Sequence, residues 1–271
     1  MRVALCQMRS GPDVEANVAD AEGLLHDAAK GGADIAVLPE VFPYLGSTRL
    51  IPETAEPLDG PIAKRVGEIA RTRDMWVAAG SIHERDEDKV FNTLPLFGRT
   101  GELVARYRKI HLFDVDLPDQ PPFRESAIYS GGTQLVTHPT ELARLGLAIC
   151  YDLRFPELFR GLATLGAEVV VLPAQFQFTT GRAHWHVLLR ARAIENQCFV
   201  VAAGQWGTYG SPEQGRRSYG HSLVVNPWGE LIAEAPEEGS GVTFADLDLA
   251  ELRRVRAALP ALQHRRLGIP C

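Results

Sequence analysis

Three residues of complementary chemistry each follow an apolar run. Glu40 comes after Ile35-Ala-Val-Leu38, Lys109 after the stretch 103–107, and Cys150 after Leu145-Gly-Leu-Ala-Ile149. Short apolar runs of this kind read as buried strands. In α/β proteins sites are built at the carboxyl ends of strands, facing helix N-termini. If the three strands lie side by side, a carboxylate, an ammonium and a thiol converge on one rim. The thiol is a nucleophile once deprotonated. The carboxylate can take its proton and later return it to a leaving group. The ammonium lowers the thiol pKa and can bond a developing oxyanion. Phe155-Pro-Glu157, just beyond Cys150, reads as a helix start. The helix end and the nearby cation are therefore expected to hold Cys150 as a thiolate.

Each residue also has a plainer reading. Free cysteine is among the most buried residue types, so Cys150 alone fits a structural thiol. A glutamate after a strand caps a helix or sits in a solvated loop, and Lys109, between Arg108 and His111, fits a charged surface.

The 271 residues are 45% hydrophobic and 23% charged, with 28 basic and 34 acidic side chains and a net charge of −6. This is globular composition with length for a large core. No basic run appears, which argues against a nucleic-acid partner. No apolar run reaches membrane-spanning length, and the first residues turn polar too soon for a signal peptide. Cys6, Cys150, Cys198 and Cys271 show neither zinc nor disulfide spacing. A soluble, reducing, cytoplasmic setting is expected.

The elements that must position the three groups alternate. Strands are predicted at 3–8, 35–38, 76–81, 91–97, 103–107, 145–149, 169–172, 199–203, 222–225, 231–233 and 242–245. Helices are predicted at 14–30, 61–72, 156–165, 183–195 and 249–258, with a Pro-, Asp- and Gly-rich loop at 114–132 and a tail from 260. The helix at 14–30 has apolar residues at helical spacing and ends at Gly31-Gly32. Asn226-Pro-Trp-Gly229 reads as a tight turn. This alternation is that of a layered α/β domain, read as a single domain over 1–271 with 259–271 a C-terminal tail.

The same residues carry a resemblance to the nitrilase superfamily of carbon–nitrogen hydrolases. Its pieces are Leu38-Pro-Glu40, Tyr107-Arg-Lys-Ile-His-Leu-Phe113 and Ile149-Cys-Tyr-Asp-Leu-Arg-Phe-Pro-Glu157. Gly181-Arg-Ala-His-Trp185, Arg190-Ala-Arg-Ala-Ile-Glu-Asn-Gln197, Tyr219-Gly-His-Ser222 and Asn226-Pro-Trp-Gly229 add to it, so that the likeness runs from residue 3 to about 266. It implies a four-layer α–β–β–α sandwich and a Glu40–Lys109–Cys150 triad. A supporting glutamate is implied between Lys109 and Cys150, and Phe123-Arg-Glu-Ser126 makes Glu125 the candidate over Glu141. The implied reaction is hydrolysis of a small amide to acid and ammonia through a Cys150 thioester, with no metal or organic cofactor. Lys109 and the backbone N–H of Tyr151 would meet the oxyanion.

Within the superfamily the resemblance is to the branch of deaminated glutathione amidases and omega-amidases. Arg217-Ser-Tyr-Gly-His221 and Gln263-His-Arg-Arg266 lean toward the former. The segment Ala174-Gln-Phe-Gln-Phe-Thr-Thr180 and Gly181-Arg182 depart from the pattern. A carboxylated 2-oxo acid amide, deaminated glutathione first, is the expected substrate. Alpha-ketoglutaramate or alpha-ketosuccinamate, carbamoyl amides, nitriles, acyl transfer to an amine and a non-catalytic binding role are the alternatives. Such a substrate needs a fixed cation, for which Arg154 and Arg182 are candidates; Arg154 could equally be a structural partner of Glu157 or Asp152. Tyr44 and Phe176 complete the expected substrate-binding set. His184 and His186 invite a metal reading, but residues two apart on a helix face apart, so no metal site is expected. A homodimer or higher oligomer is expected through the helices at 156–165 and 183–195, with Phe155, Leu158, Phe159 and Leu162 offering apolar surface.

Overall fold

The computed structural model describes residues 1–116, 122–210 and 216–268. Part of the predicted 114–132 loop, and Cys271, lie outside those residues.

Strand β1 (Arg2–Gln7) feeds helix α1 (Val14–Lys30), which returns to β2 (Ile35–Val37). The short α2 (Ile51–Thr54) and then α3 (Pro61–Arg73) lead to β3 (Trp76–Ala78). A meander follows: β4 (Ile82–Asp86), β5 (Lys89–Phe97) and β6 (Leu103–Arg108). The predicted strand at 76–81 is thus interrupted. Gly80 takes φ +56° where an added Cβ would sit 2.0 Å from the carbonyl oxygen of Pro39, so the chain bends there and starts β4. Within the 114–132 loop, β7 (Asp114–Val115) pairs with β8 (Phe123–Arg124), and Glu125–Ala127 is a 3₁₀ turn.

The second half runs β9 (Val136–Pro139), β10 (Arg144–Leu147), α4 (Pro156–Thr164), β11 (Val169–Ala174), α5 (Phe178–Asn196) and β12 (Phe199–Gly204). It ends with β13 (Trp206–Thr208), β14 (Arg217–Tyr219), β15 (Leu223–Val225), β16 (Leu231–Glu234), β17 (Gly241–Asp246) and α6 (Leu249–Ala258). Helix α5 starts five residues before the predicted 183. Gly181 lies inside this helix, where the absence of a side chain lets the helix pack against Tyr219: an added Cβ would be 2.4 Å from its ring.

Two sheets stack. One has the order β17-β1-β2-β3-β5-β4, with β6 also on β5; the other has the order β16-β15-β12-β11-β10-β9. In each half three strands are parallel, β1-β2-β3 and β10-β11-β12, and α1, α3, α4 and α5 make the connections. Alternate residues of a strand face opposite layers. Val3, Leu5, Ile35 and Val37 enter the core between the sheets, with Leu145 and Leu147 from the facing sheet. Ala4, Cys6, Ala36 and Leu38 instead pack under Val18, Leu25, Ile62 and Val66 of α1 and α3. On the far side, Leu158, Phe159, Leu162, Trp185 and Leu189 of α4 and α5 cover the second sheet. The layers are α–β–β–α. Leu158, Phe159 and Leu162, expected as apolar oligomer surface, are at most 3% exposed; they are core. An amphipathic pattern marks the buried stripe without saying what buries it.

Candidate active site

The three strand ends converge, but not because the strands lie side by side as expected. Strands β2 and β6 belong to one sheet without being neighbours and β10 to the other, so the stacking of the two sheets brings the ends together. Glu40 follows β2, Lys109 follows β6 and Cys150 follows β10, and all three line one pocket, a cavity of about 110 Å³. The four candidate residues are nearly closed off from solvent: Glu40 is 4% exposed, Lys109 2%, Glu125 5% and Cys150 7%. Backbone strain marks two of the strand ends. Val41, directly after Glu40, has φ +49°, and Cys150 has φ +43°. Side chains other than glycine adopt such angles only where the surroundings enforce them, and they cluster at functional sites.

Lys109 Nζ lies 2.9 Å from Glu40 Oε1, and 3.0 and 2.8 Å from the two oxygens of Glu125. Glu40 Oε2 accepts from the backbone N–H of Gln175 at 2.7 Å. Glu125 accepts from the backbone N–H of Phe113 at 2.6 Å. The ammonium is thus clasped between two carboxylates that are themselves anchored by backbone donors. Burial by itself would pull the Lys109 pKa down, but the charges of Glu125 and Glu40 override it and hold the ammonium well above the ordinary lysine range. Cys150 moves the other way from the expected thiolate. Burial, and then the charge of Glu40, push its pKa well above the ordinary thiol value, with Lys109 only partly offsetting them. These causes favour the thiol over the thiolate, and its Sγ lies 3.6 Å from the carbonyl oxygen of Gln175.

Cys150 is presented by a 3₁₀ turn, Cys150–Arg154, rather than by a helix start at the residue itself. Asp152 locks that turn. Its carboxylate accepts from the backbone N–H of Ile149 at 2.8 Å and from the Tyr107 hydroxyl at 2.7 Å, and it lies 2.8 Å from the His111 ring. Asp152 is fully buried. The turn that carries the thiol is therefore tied to the end of the strand that delivers Lys109. Tyr151 follows Cys150 in this turn and lines the pocket.

Of the residues expected to bind substrate, Tyr44, Phe176 and Arg154 line the pocket. Arg154 is half-buried. Its guanidinium donates to His184 Nδ1 at 3.1 Å and lies 5.1 Å from the Phe176 ring centroid. Among the described residues no ion pair joins it to Glu157 or Asp152, the latter being occupied by Tyr107 and His111. Arg182 does not share the pocket. It is exposed on α5, where Gly181 packs on Tyr219. The helical turn that begins at Phe178 carries it away from the rim. Glu141, set aside for the supporting role, bonds the Trp76 indole at 3.0 Å and Arg99 at 2.7 Å.

Several pocket residues escape a reading of the sequence. Asn92, on β5, donates from one amide nitrogen to Glu40 Oε1 at 2.9 Å and to Glu125 Oε1 at 3.2 Å. His83 and Tyr129 are joined at 2.7 Å beside the same wall. Arg216 lines the pocket, its guanidinium 5.3 Å from the Phe123 ring centroid. Asn92 sits within an apolar strand, and no local signal singles it out. Arg216 borders the Arg217-Ser-Tyr-Gly-His221 piece of the resemblance, which was the available hint.

Among the described residues one group has the geometry to hold a metal ion: His186, His221 and Glu234, away from the pocket. Of the two histidines singled out in the sequence, His186 belongs to this group and His184 does not.

Comparison with known proteins agrees with this arrangement. Residues 2–257 match the family described as carbon-nitrogen hydrolase. The chain is 44% identical over 274 residues to deaminated glutathione amidase of Bos taurus, covering 97% of this chain and 81% of that one. It is 39% identical over 269 residues to the omega-amidase NIT2 of Homo sapiens, covering 98% and 95%. Among solved structures, Saccharomyces cerevisiae Nit3, a member of branch 10 of the nitrilase superfamily, superposes with a TM-score of 0.88 at 33% identity, covering 98% of this chain and 97% of that one.

Proposed function

Since the chain belongs to the carbon–nitrogen hydrolase family of the nitrilase superfamily, and is an amidase acting on linear amides, we propose that Cys150 is its nucleophile and that Glu40, Lys109 and Glu125 serve it. The observation that carries this is the convergence, in one small pocket, of a buried thiol, a carboxylate and an ammonium clasped between two carboxylates. Cys150 Sγ attacks the amide carbonyl carbon as its proton passes to Glu40. The oxyanion is met by Lys109 and the backbone N–H of Tyr151. Glu40 returns the proton to the departing amine, and the C–N bond breaks to leave a thioester on Cys150. Water enters, gives a proton to Glu40, and attacks the thioester. The acid leaves, and the proton on Glu40 restores the thiol. Glu125 holds Lys109 in place throughout.

The substrate we propose is a 2-oxo acid amide bearing a carboxylate, with deaminated glutathione ahead of the short omega-amides. Support comes from the higher identity to deaminated glutathione amidase and from two arginines, Arg154 and Arg216, lining the pocket. Burial draws the Arg154 pKa below the ordinary arginine value, and among the described residues no ion pair joins Arg154 to a carboxylate. The amine released is ammonia for a primary amide and cysteinylglycine for deaminated glutathione. The test is to follow 2-oxoglutarate formation from deaminated glutathione and from alpha-ketoglutaramate. A higher kcat/KM on the former supports the reading; a reversal makes the chain an omega-amidase by preference. Hydrolysis of only nitriles or carbamoyl compounds would sink the substrate class and leave the Cys150 chemistry standing.

In the same reading the protein is a homodimer or larger, meeting through α4 and α5. Leu165, at the end of α4, and Val187 and Ile194 on α5 are exposed and replace the buried leucines as the candidate contact. A monomer by light scattering at micromolar concentration would count against it. The free, buried thiols of Cys6, Cys150 and Cys198 support a reducing, cytoplasmic setting. Among the described residues no helix is long and apolar enough to cross a membrane.

A further inference from the structure

His184 and His186 leave α5 in different directions. His184 accepts from Arg154 at the pocket rim. His186 meets two residues distant in sequence. Glu234, on β16, places its Oε1 2.9 Å from His186 Nε2 and 2.6 Å from His221 Nδ1. His221 lies between β14 and β15, in the left-handed region at φ +51°. One ligand atom from each of the three lies within 4.8 Å of the others. All three side chains are partly open to solvent, at 34%, 21% and 30% exposure for His186, His221 and Glu234, so an ion can reach them.

We propose that His186, His221 and Glu234 form a divalent transition-metal site, with Zn²⁺ the fitting ion. Two imidazoles and one carboxylate are a donor set typical of zinc, whereas calcium and magnesium take oxygen ligands. Bond lengths of about 2.0–2.2 Å to zinc place tetrahedral ligand atoms roughly 3.3 Å apart. The two contacts to Glu234, at 2.9 and 2.6 Å, need only open slightly to admit an ion, and all three ligand atoms already lie within 4.8 Å of one another. The histidine ligand atoms must be unprotonated, so metal entry releases any proton they carry and replaces the hydrogen bonds to Glu234 by bonds through the ion. Supporting contacts already orient the ligands. The backbone carbonyl of His221 accepts from the Trp185 indole at 2.8 Å, the Tyr219 ring centroid lies 4.5 Å from that of His221, and Glu237 Oε2 is 3.7 Å from the other His221 nitrogen. The ion would tie α5, the β14–β15 turn and β16 together. Three protein ligands leave a fourth position for water.

The site is independent of the amidase reading and is tested apart from it. Metal-stripped protein carrying Cys150→Ser, which removes the competing active-site thiol, is titrated with Zn²⁺ in a calorimeter. A single site of micromolar affinity is expected. His186→Ala, His221→Ala and Glu234→Gln should each weaken it by about tenfold or more, while His184→Ala leaves it unchanged. Co²⁺ should give a tetrahedral visible spectrum that His186→Ala abolishes. His186 lies on a partly exposed helix face, so His186→Gln serves if His221→Ala does not fold. Absence of micromolar binding, or binding equal in all variants, overturns the site.

Discussion

Asn92 Nδ2 donates to Glu40 Oε1 at 2.9 Å, the same oxygen that Lys109 Nζ reaches at 2.9 Å. The other oxygen of Glu40 accepts from the backbone N–H of Gln175, whose carbonyl in turn accepts from Cys150 Sγ at 3.6 Å. One amide also bridges to Glu125, so Asn92 fixes the spacing of two carboxylates that would otherwise repel. Asn92→Ala is expected to lower kcat by about 10²-fold, since a misplaced reacting group costs that much, with KM changed far less. Asn92→Asp should be worse, because it adds a third carboxylate. Wild-type kcat in a folded Asn92→Ala variant would remove Asn92 from this role.

Cys150→Ala should abolish turnover in a folded protein. Cys6 and Cys198 are buried, and burial pushes both thiols up to about 12, so they are inert packing groups. Their replacement by alanine should leave kcat nearly unchanged. Cys198, between α5 and β12, should cost about 1 kcal/mol of stability through lost packing. Activity of each variant set against its urea-unfolding midpoint separates the two effects.

Glu40→Gln should slow acylation by about 10²–10⁴-fold, the usual loss for a general base. Lys109→Ala removes the proposed oxyanion donor, for which a loss of about 10²–10³-fold is typical. It also leaves two buried carboxylates facing each other, so it should destabilise the fold by about 3–5 kcal/mol. Glu125→Gln keeps a hydrogen-bond acceptor for Lys109 and should cost less than Glu40→Gln if its task is orientation. Single-turnover acylation measured in each folded variant decides; an unimpaired Glu40→Gln would assign the base elsewhere.

Arg154→Met should raise KM strongly for carboxylated amides and much less for an amide without the carboxylate, because uniform binding to that group is what is lost. Arg182→Met, on the exposed face of α5, should change neither. Equal losses on both substrates in Arg154→Met would make Arg154 a structural residue.

His83 is buried, and burial lowers its pKa from 6.5 to about 4. Its Nδ1 lies 2.7 Å from the Tyr129 hydroxyl and its Nε2 3.2 Å from the Tyr44 carbonyl, which suits a neutral ring with the proton on Nε2. The unfolded chain therefore binds a proton at His83 that the folded chain refuses between pH 6.5 and about 4. Stability rises with pH across that window and falls on acidification, by an amount on the order of 3 kcal/mol in full. Urea unfolding at pH 7 and pH 5 should show a loss that His83→Gln reduces. An equal loss in the variant would place the acid sensitivity elsewhere.

What the sequence by itself determined is local. Apolar runs and helix signals place most strands and helices, and α1 and α6 have the predicted bounds, because Asp13 and Asp248 cap their first turns and Gly31 ends the first. The strand-end addresses of Glu40, Lys109 and Cys150 follow from the same runs, and the motif likeness points to the chemistry. Only the tertiary structure decided what depends on partners far along the chain. It buries the α4 leucines in the core and seats Asn92 between two carboxylates. It also sends His186 to His221 and Glu234 rather than to His184, and draws Arg182 out of the site while bringing Arg216 in. The protonation of Cys150 belongs to this second class. A helix end and a lysine nearby favour a thiolate, but burial and the charge of Glu40 push the pKa the other way, and burial is a property of the packed molecule that no stretch of sequence carries alone.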